Sequence, residues 1–206
     1  MKGNLIVISS PSGGGKGTLI KEVLERVPNL GYSVSLTTRA PRFGEEDGRH
    51  YHFVTKEEFH REISGGGFLE YAEVHGNLYG TAKSQIERIT EGGRDVILEI
   101  DVQGAESVMD QIPGAVSIFI LPPSYETLRA RLTARATEGS DDLDVRLRNS
   151  RYEVSRYSLF KYVVINDEVH TAAGKLASII VAERQIFARQ SEAIKGILDS
   201  FERSNV

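Results

Sequence analysis

The segment Ser9-Ser10-Pro11-Ser12-Gly13-Gly14-Gly15-Lys16-Gly17-Thr18 constrains this chain more than any other. It follows the apolar run Leu5–Ile8 and precedes Leu19, Ile20, Val23, Leu24 and Val27, which recur at helical spacing until Pro28. Strand, glycine loop and helix in that order let several backbone N–H groups converge on one anion, with the helix N-terminus behind them. Lys16 adds a point charge of the kind that meets the β- and γ-phosphates of a nucleoside triphosphate. A bare glycine run marks only a turn; here the flanking strand, the lysine and the helix favour phosphate binding. The loop departs from the common pattern twice, with Ser10 where a glycine usually opens it and Gly17 where a hydroxyl usually follows the lysine. Thr18 is the next hydroxyl. By contrast Ser64-Gly65-Gly66-Gly67 has no lysine after it and no buried strand before it, and reads as a turn.

Three more apolar runs, Val96–Ile100, Val116–Leu121 and Tyr162–Ile165, are rich in Ile and Val without polar alternation. Strands covered on both faces have this texture, so the fold class is α/β with a parallel sheet. Residues 33–85 break the pattern with short alternating strands, Ser33–Leu36 and Tyr51–Val54, and charged turns, and read as an inserted lobe. Residues 124–158 carry repeated arginines and few strand signals, and read as a charged helical flap. Within it Ser124 is the expected N-cap, and Leu128 and Leu132 form an i,i+4 apolar pair. A long helical pattern from about Thr171 to Phe201, interrupted near Gly196, closes the chain. Ile179, Ile180, Ile186, Phe187, Ile194 and Ile197 on it are read as core, with a partner face as the alternative.

Composition excludes several classes. The chain has 206 residues and no cysteine, so disulfide scaffolds and Cys-ligated zinc are ruled out. A formal charge of −4 argues against a broad surface for nucleic-acid polymer. No apolar run approaches the roughly 20 residues of a membrane span, and a cytoplasmic setting is expected. His50 and His52 share a strand face, but a lone His-x-His is more often structural than metal-binding.

Beyond the loop come Thr37-Thr38-Arg39-Ala40-Pro41-Arg42, then Gly76-Asn77-Leu78-Tyr79-Gly80-Thr81, Ile100-Asp101-Val102-Gln103-Gly104, Leu121-Pro122-Pro123-Ser124 and Ile165-Asn166-Asp167. With the glycine loop, these ordered segments resemble the guanylate kinase family over about 180 residues. The resemblance implies a P-loop kinase core (1–32, 86–123 and 159–206), a GMP-binding lobe (33–85) and a lid (124–158). It implies transfer of a phosphoryl group from ATP to GMP with Mg²⁺, dGMP being a second expected acceptor.

The resemblance also implies site residues. ATP would lie on Ser9, Ser10, Pro11, Ser12, Gly13, Gly14, Gly15, Lys16, Gly17 and Thr18, with Asn166 near adenine. Arg39 and Arg42 would clamp the GMP phosphate, since guanidinium forks match phosphate oxygens. Tyr51 and Tyr79 would donate to the same phosphate. Glu70 would accept from the guanine N1–H and N2–H donors, with Ser35 and Thr81 completing the base contacts and Asp101 close by. Lys16, Arg39, Arg131, Arg135 and Arg146 would carry catalysis. Magnesium would be held near Thr18, Glu99 or Asp101; similar chains usually carry Asp where Glu99 stands. Two other readings stay open at this level: a guanylate-kinase-like module that binds proteins and no longer catalyses, and a kinase for another small phosphorylated acceptor. Oligomeric state is also open.

Overall fold

The computed structural model of the chain describes residues 2–74, 76–135 and 140–203, the side chains of Arg135 and residues 140–142 lying outside that description. In chain order the elements are β1 (Leu5–Ser9), α1 (Lys16–Arg26), β2 (Leu30–Tyr32), β3 (Leu36–Thr37), β4 (His52–Phe53) and α2 (Lys56–Ser64). Next come β5 (Phe68–Val74), β6 (Asn77–Ala82), α3 (Lys83–Glu91), β7 (Asp95–Glu99), α4 (Val102–Gln111) and β8 (Val116–Leu121). The chain ends with α5 (Tyr125–Arg135), α6 (Ser140–Ser155), a 3-10 turn (Tyr157–Leu159), β9 (Tyr162–Ile165), α7 (Val169–Glu183) and α8 (Phe187–Arg203).

All four apolar runs are strands of one parallel sheet, in the order β2-β7-β1-β8-β9. Every residue of the central β1 is buried. Alternate side chains explain why no polar alternation was visible. Ile6 and Ile8 pack on one face with Leu19, Val23, Leu176 and Ile180, while Leu5 and Val7 pack on the other with Val102, Val108 and Phe119. Truncating one of these fully buried side chains to alanine costs about 2–5 kcal/mol. Strand β2 has no counterpart in the sequence reading. It is three residues long, contains Gly31, and exists through its pairing with β7.

Residues 33–85 contain a second sheet, ordered β4-β3-β6-β5. Both expected strands are shorter than read: the first is shifted to Leu36–Thr37, and the second, His52–Phe53, lies within Tyr51–Val54. The lobe's own core is the stacked pair Phe59 and Phe68, ring centroids 4.4 Å apart. A Cβ on Gly80 would stand 2.9 Å from Phe68 and 3.0 Å from Phe59, so the glycine permits this packing. Helix α2 starts with a reciprocal capping box between Thr55 and Glu58. The Ser64–Gly67 run is the turn that ends it, with Gly66 at φ +65°.

Helices α5 and α6 meet through Leu128, Leu132 and Leu147. Ser124 caps α5 as read, its Oγ accepting from Thr127 N–H at 3.1 Å.

The C-terminal helix differs from expectation in two ways. Its break falls at 184–186, between α7 and α8, whereas Gly196 lies inside α8 with open space around it. A single exposed glycine costs about 1 kcal/mol in a helix and does not end one. At the true break Arg184 turns inward, its Nε donating to Asp95 Oδ2 at 2.6 Å and its Nη2 to the Pro28 carbonyl at 2.9 Å. Core packing also stops there: Ile180 is buried, but α8 has no buried residue, and Phe187 is 78% exposed. Among the described residues no helix is long and apolar enough to cross a membrane.

Candidate active site

The glycine loop turns out of β1 into α1 through two residues in the left-handed region, Gly13 at φ +81° and Gly15 at φ +85°. Gly14 N–H donates to the Pro11 carbonyl at 2.8 Å and closes the turn. A Cβ on Gly15 would lie 2.4 Å from Asn166 Nδ2, so this position needs glycine for space as well as for φ. Helix α1 begins without a side-chain cap and with no acidic residue in its first turn. Its leading amides therefore keep their positive end for an anion. Gly17 lines the recess under the loop, and Thr18 is exposed on the first turn of α1.

Two long-range residues brace the loop from outside. Asn166 is 1% exposed, and its Nδ2 donates to the Gly14 carbonyl at 2.8 Å. Arg131 on α5 donates to the Gly14 carbonyl at 3.4 Å and to the Asn166 carbonyl at 3.0 Å. The structure thus places Asn166 and Arg131 against the loop backbone. Arg146 on α6 reaches Ser12 Oγ at 3.3 Å. The side chain of Arg135 lies outside the described residues. Ser9 and Ser10 are buried at the end of β1.

From the loop a cleft runs along the C-terminal ends of the parallel strands, where open α/β sheets take their ligands. Its first recess is lined by Ser10 to Gly17, Arg146 and Glu153, and its middle by Lys16, Tyr32, Ser35 and Tyr51. The far recess is lined by Ser35, Tyr51, Glu70, Tyr79 and Gly80. Glu99 and Asp101 border all three. The cleft therefore joins the two halves read separately from the sequence.

Charge in the middle is closely managed. Lys16 Nζ donates to the Ile100 carbonyl at 2.7 Å and lies 4.0 Å from Glu99 Oε1. Burial pulls the Lys16 ammonium below its ordinary range, opposed by Glu99, Asp101 and Glu153. Tyr32 donates to Glu99 Oε2 at 3.1 Å, and burial, then Glu99, pushes the Tyr32 hydroxyl upward. Asp101 caps α4, its Oδ1 accepting from Gly104 N–H at 2.8 Å.

In the far recess Thr81 Oγ1 donates to Glu70 Oε1 at 2.6 Å. Burial raises the Glu70 carboxyl above the ordinary carboxylate range, with the Thr81 hydrogen bond opposing and Asp101 adding to it. Tyr51 and Tyr79 meet edge to face with centroids 5.8 Å apart, and the Arg39 guanidinium stacks 5.4 Å from the Tyr51 ring centre. Both ends of the Arg39 fork donate to Glu45, at 2.9 Å each. Glu45 also accepts from Arg42 N–H at 2.6 Å, and these bonds, Arg39 first, hold its carboxyl down to about 2. The Arg42 side chain is exposed. Ser35, Tyr51, Glu70, Tyr79, Thr81 and Asp101 thus gather in one place, Arg39 beside them and Arg42 farther out.

The sequence reading missed Tyr32, Glu45 and Glu153. Glu45 stood next to Gly44 within the recognised stretch, and only its ion pair gives it a role. Glu153 lay in an arginine-rich helix with nothing local to single it out.

A magnesium ion, implied by the chemistry of triphosphates, suits this donor set. Mg²⁺ takes hard oxygen ligands and is typically bound by one or two carboxylates plus substrate phosphates and water. Glu99 and Asp101 provide two carboxylates at the junction of the recesses. Asp101 keeps Oδ2 beyond the bond its Oδ1 accepts.

A five-stranded parallel sheet, a glycine loop after its central strand and a second recess across the cleft define a P-loop kinase. The comparisons then narrow the class: residues 2–183 match the family model described as guanylate kinase. A guanylate kinase of Vibrio parahaemolyticus is 48% identical over 201 residues, covering 97% of each chain. One from Clostridium perfringens is 49% identical over 183 residues, covering 89% of this chain and 85% of its own. Among solved structures, guanylate kinase from Anaplasma phagocytophilum superposes with a TM-score of 0.75 at 37% identity, covering 91% of this chain and 89% of its own. The chain belongs to the guanylate kinase family.

Proposed function

We propose that this chain transfers the γ-phosphoryl group of ATP to the phosphate of GMP, giving ADP and GDP, with dGMP a second acceptor. The observation that carries the acceptor assignment is the Glu70–Thr81 pair, held at 2.6 Å in a recess that opens through Glu99 and Asp101 onto the glycine loop. Guanine offers N1–H and N2–H to a carboxylate. Adenine turns a lone pair toward it instead, and a site with unpaired polar groups rejects such an analogue strongly.

Residues 33–85 serve as the acceptor lobe on this reading. Arg39, Arg42, Tyr51 and Tyr79 take the GMP phosphate, and Ser35, Glu70 and Thr81 take the base. The phosphate dianion replaces Glu45 on the Arg39 fork, exchanging one bidentate acceptor for another. Residues 124–158 serve as the lid, bringing Arg131, Arg135 and Arg146 toward the triphosphate. Loop amides from Ser9 to Thr18 hold the ATP phosphates, and Asn166 acts on the adenine side through its hold on the loop.

In the transfer, a GMP phosphate oxygen forms a bond to the γ-phosphorus while the bond from that phosphorus to the ADP oxygen breaks. The attacking oxygen is already ionised near neutral pH, the second phosphate pKa being about 6, so no general base is required. Bringing two polyanions together is the obstacle, and positioning with electrostatic stabilisation overcomes it. Lys16 neutralises charge developing on the transferred group and on ADP. Glu99 and Asp101 would hold a magnesium ion, which would supply further charge neutralisation. Lid and lobe exclude water, which would otherwise take the phosphoryl group.

An acceptor panel tests the assignment: ADP release from ATP is measured with GMP, dGMP, AMP and a sugar phosphate in turn. GMP is expected to exceed AMP by orders of magnitude. Equal use of AMP, or ADP release with no acceptor preference, would overturn it.

A further inference from the structure

One carboxylate in the loop recess has no part in the transfer just described. Glu153 on α6 accepts from the Ser12 backbone N–H through Oε2 at 3.0 Å. Ser12 belongs to the loop whose amides select anions, and a carboxylate on one of them takes the place of a phosphate oxygen. Two turns earlier on the same helix, Arg146 donates to Ser12 Oγ at 3.3 Å. One loop residue is therefore held by both an acid and a base of the lid. Glu153 also lines the recess with Lys16 and Asp101, so its charge faces the volume that a triphosphate would enter. Like charges in a partly desolvated recess repel more strongly than in water.

We propose that Glu153 is a positioning residue whose contact with Ser12 is exchanged for the ATP triphosphate, so that filling the loop releases α6 and re-aims Arg146. The inference rests on the reading of the loop as the triphosphate site. It makes the lid's placement depend on the donor nucleotide through a single charge. ATP binding has to expel one carboxylate, and the helix that carries it also carries a lid arginine.

The sign of one measurement separates this role from ordinary helix docking. Glu153→Gln keeps the size of the side chain and an acceptor oxygen but removes the charge. In titrations of the full chain with magnesium present, this variant is expected to bind ATP and ADP roughly three- to tenfold more tightly than wild type. Adenosine and GMP affinities are expected to stay unchanged, so that KM for ATP falls while KM for GMP does not. Glu153→Asp, which keeps the charge in the recess, is expected to return ATP affinity to within about twofold of wild type. A docking residue would show the reverse, with weaker ATP binding and a lower melting temperature. Unchanged or weakened ATP affinity in a folded Glu153→Gln chain would overturn the proposal. If wild type itself bound no ATP, the reading of the loop would fall first, a separate outcome visible before any variant is made.

Discussion

Glu70 and Thr81 sit opposite one another on the β5–β6 ladder, and the Thr81 hydroxyl donates to Glu70 Oε1 at 2.6 Å. The register shifts between Phe68 and Glu70, so the ladder is irregular just ahead of the carboxylate. With one oxygen tied to Thr81, the carboxylate is oriented before any base arrives. Gly104, at the start of α4, stands close enough that a Cβ there would be 3.0 Å from Glu70 Oε2. Strands β5 and β6 and helix α4 together shape the far recess.

Removing Glu70 should therefore damage GMP use selectively. On the proposed reading, Glu70→Ala would take away two charge-assisted hydrogen bonds to guanine, each worth about 1.5–3 kcal/mol. A loss of roughly 10²–10⁴ in kcat/KM for GMP is expected. ATP affinity, measured by titration without acceptor, should be unaltered. Unchanged GMP kinetics would take Glu70 out of the site.

The same carboxylate sets a pH dependence. Burial favours its neutral form, so its folded pKa lies above the ordinary carboxylate range. The ionised, accepting form is populated above that raised pKa and disappears as pH falls through it. Guanosine carries no phosphate, so its affinity reports the base site alone. That affinity is expected to fall on acidification with a midpoint above the ordinary carboxylate range, and the midpoint should vanish in Glu70→Gln. For stability the sign is reversed: the raised pKa favours the folded chain below the ordinary carboxylate range, and this advantage is lost as pH rises through the folded pKa.

Lys16→Met should cut transfer steeply while leaving the fold in place. Methionine keeps the aliphatic reach but loses the charge and the 2.7 Å bond to the Ile100 carbonyl. A drop in kcat of about 10²–10³ or more is expected from losing one preorganised charge. The cost in stability should stay near the 0.5–3 kcal/mol typical of single substitutions. Stopped-time assays and thermal melts check the two halves independently.

Two loop glycines should respond differently to alanine. At Gly15 a methyl would meet Asn166 Nδ2 at 2.4 Å in a backbone at φ +85°, so strain and a broken Asn166–Gly14 contact are expected together. The left-handed strain alone costs about 1–3 kcal/mol. At Gly17 the nearest atom to an added Cβ is Glu99 Oε1 at 3.8 Å, an ordinary contact. Gly15→Ala should lose ATP binding and Gly17→Ala should retain it. Equal ATP affinities in the two variants would show that the loop does not depend on Asn166.

Local pattern was enough for much of this. The strands β1, β7, β8 and β9 were legible because a sheet covered on both faces writes itself as short Ile/Val runs. Helix α1 was legible because Leu19, Ile20 and Val23 meet the core at helical spacing. Other features left no local trace. Strand β2 is too short for a period and is held by its pairing with β7. At the break at 184–186 Arg184 reaches Asp95, far away in sequence, whereas Gly196 lies inside α8 with open space around it. The apolar residues of α8 looked like a continuation of the α7 core face, but α8 leaves that core after the break.

What the sequence by itself determined is chemistry carried by residue order: the glycine-loop turn, the parallel core and the family. Tertiary structure decided which partner each of those residues meets. Arg39 is held by Glu45, Asn166 lies beneath Gly14, and Ser12 is held by Glu153 and Arg146. The physical reason is range. Helical and strand periods are written by neighbours a few residues apart, whereas a hydrogen bond across the cleft depends on where two distant backbones come to rest, and no local period encodes that.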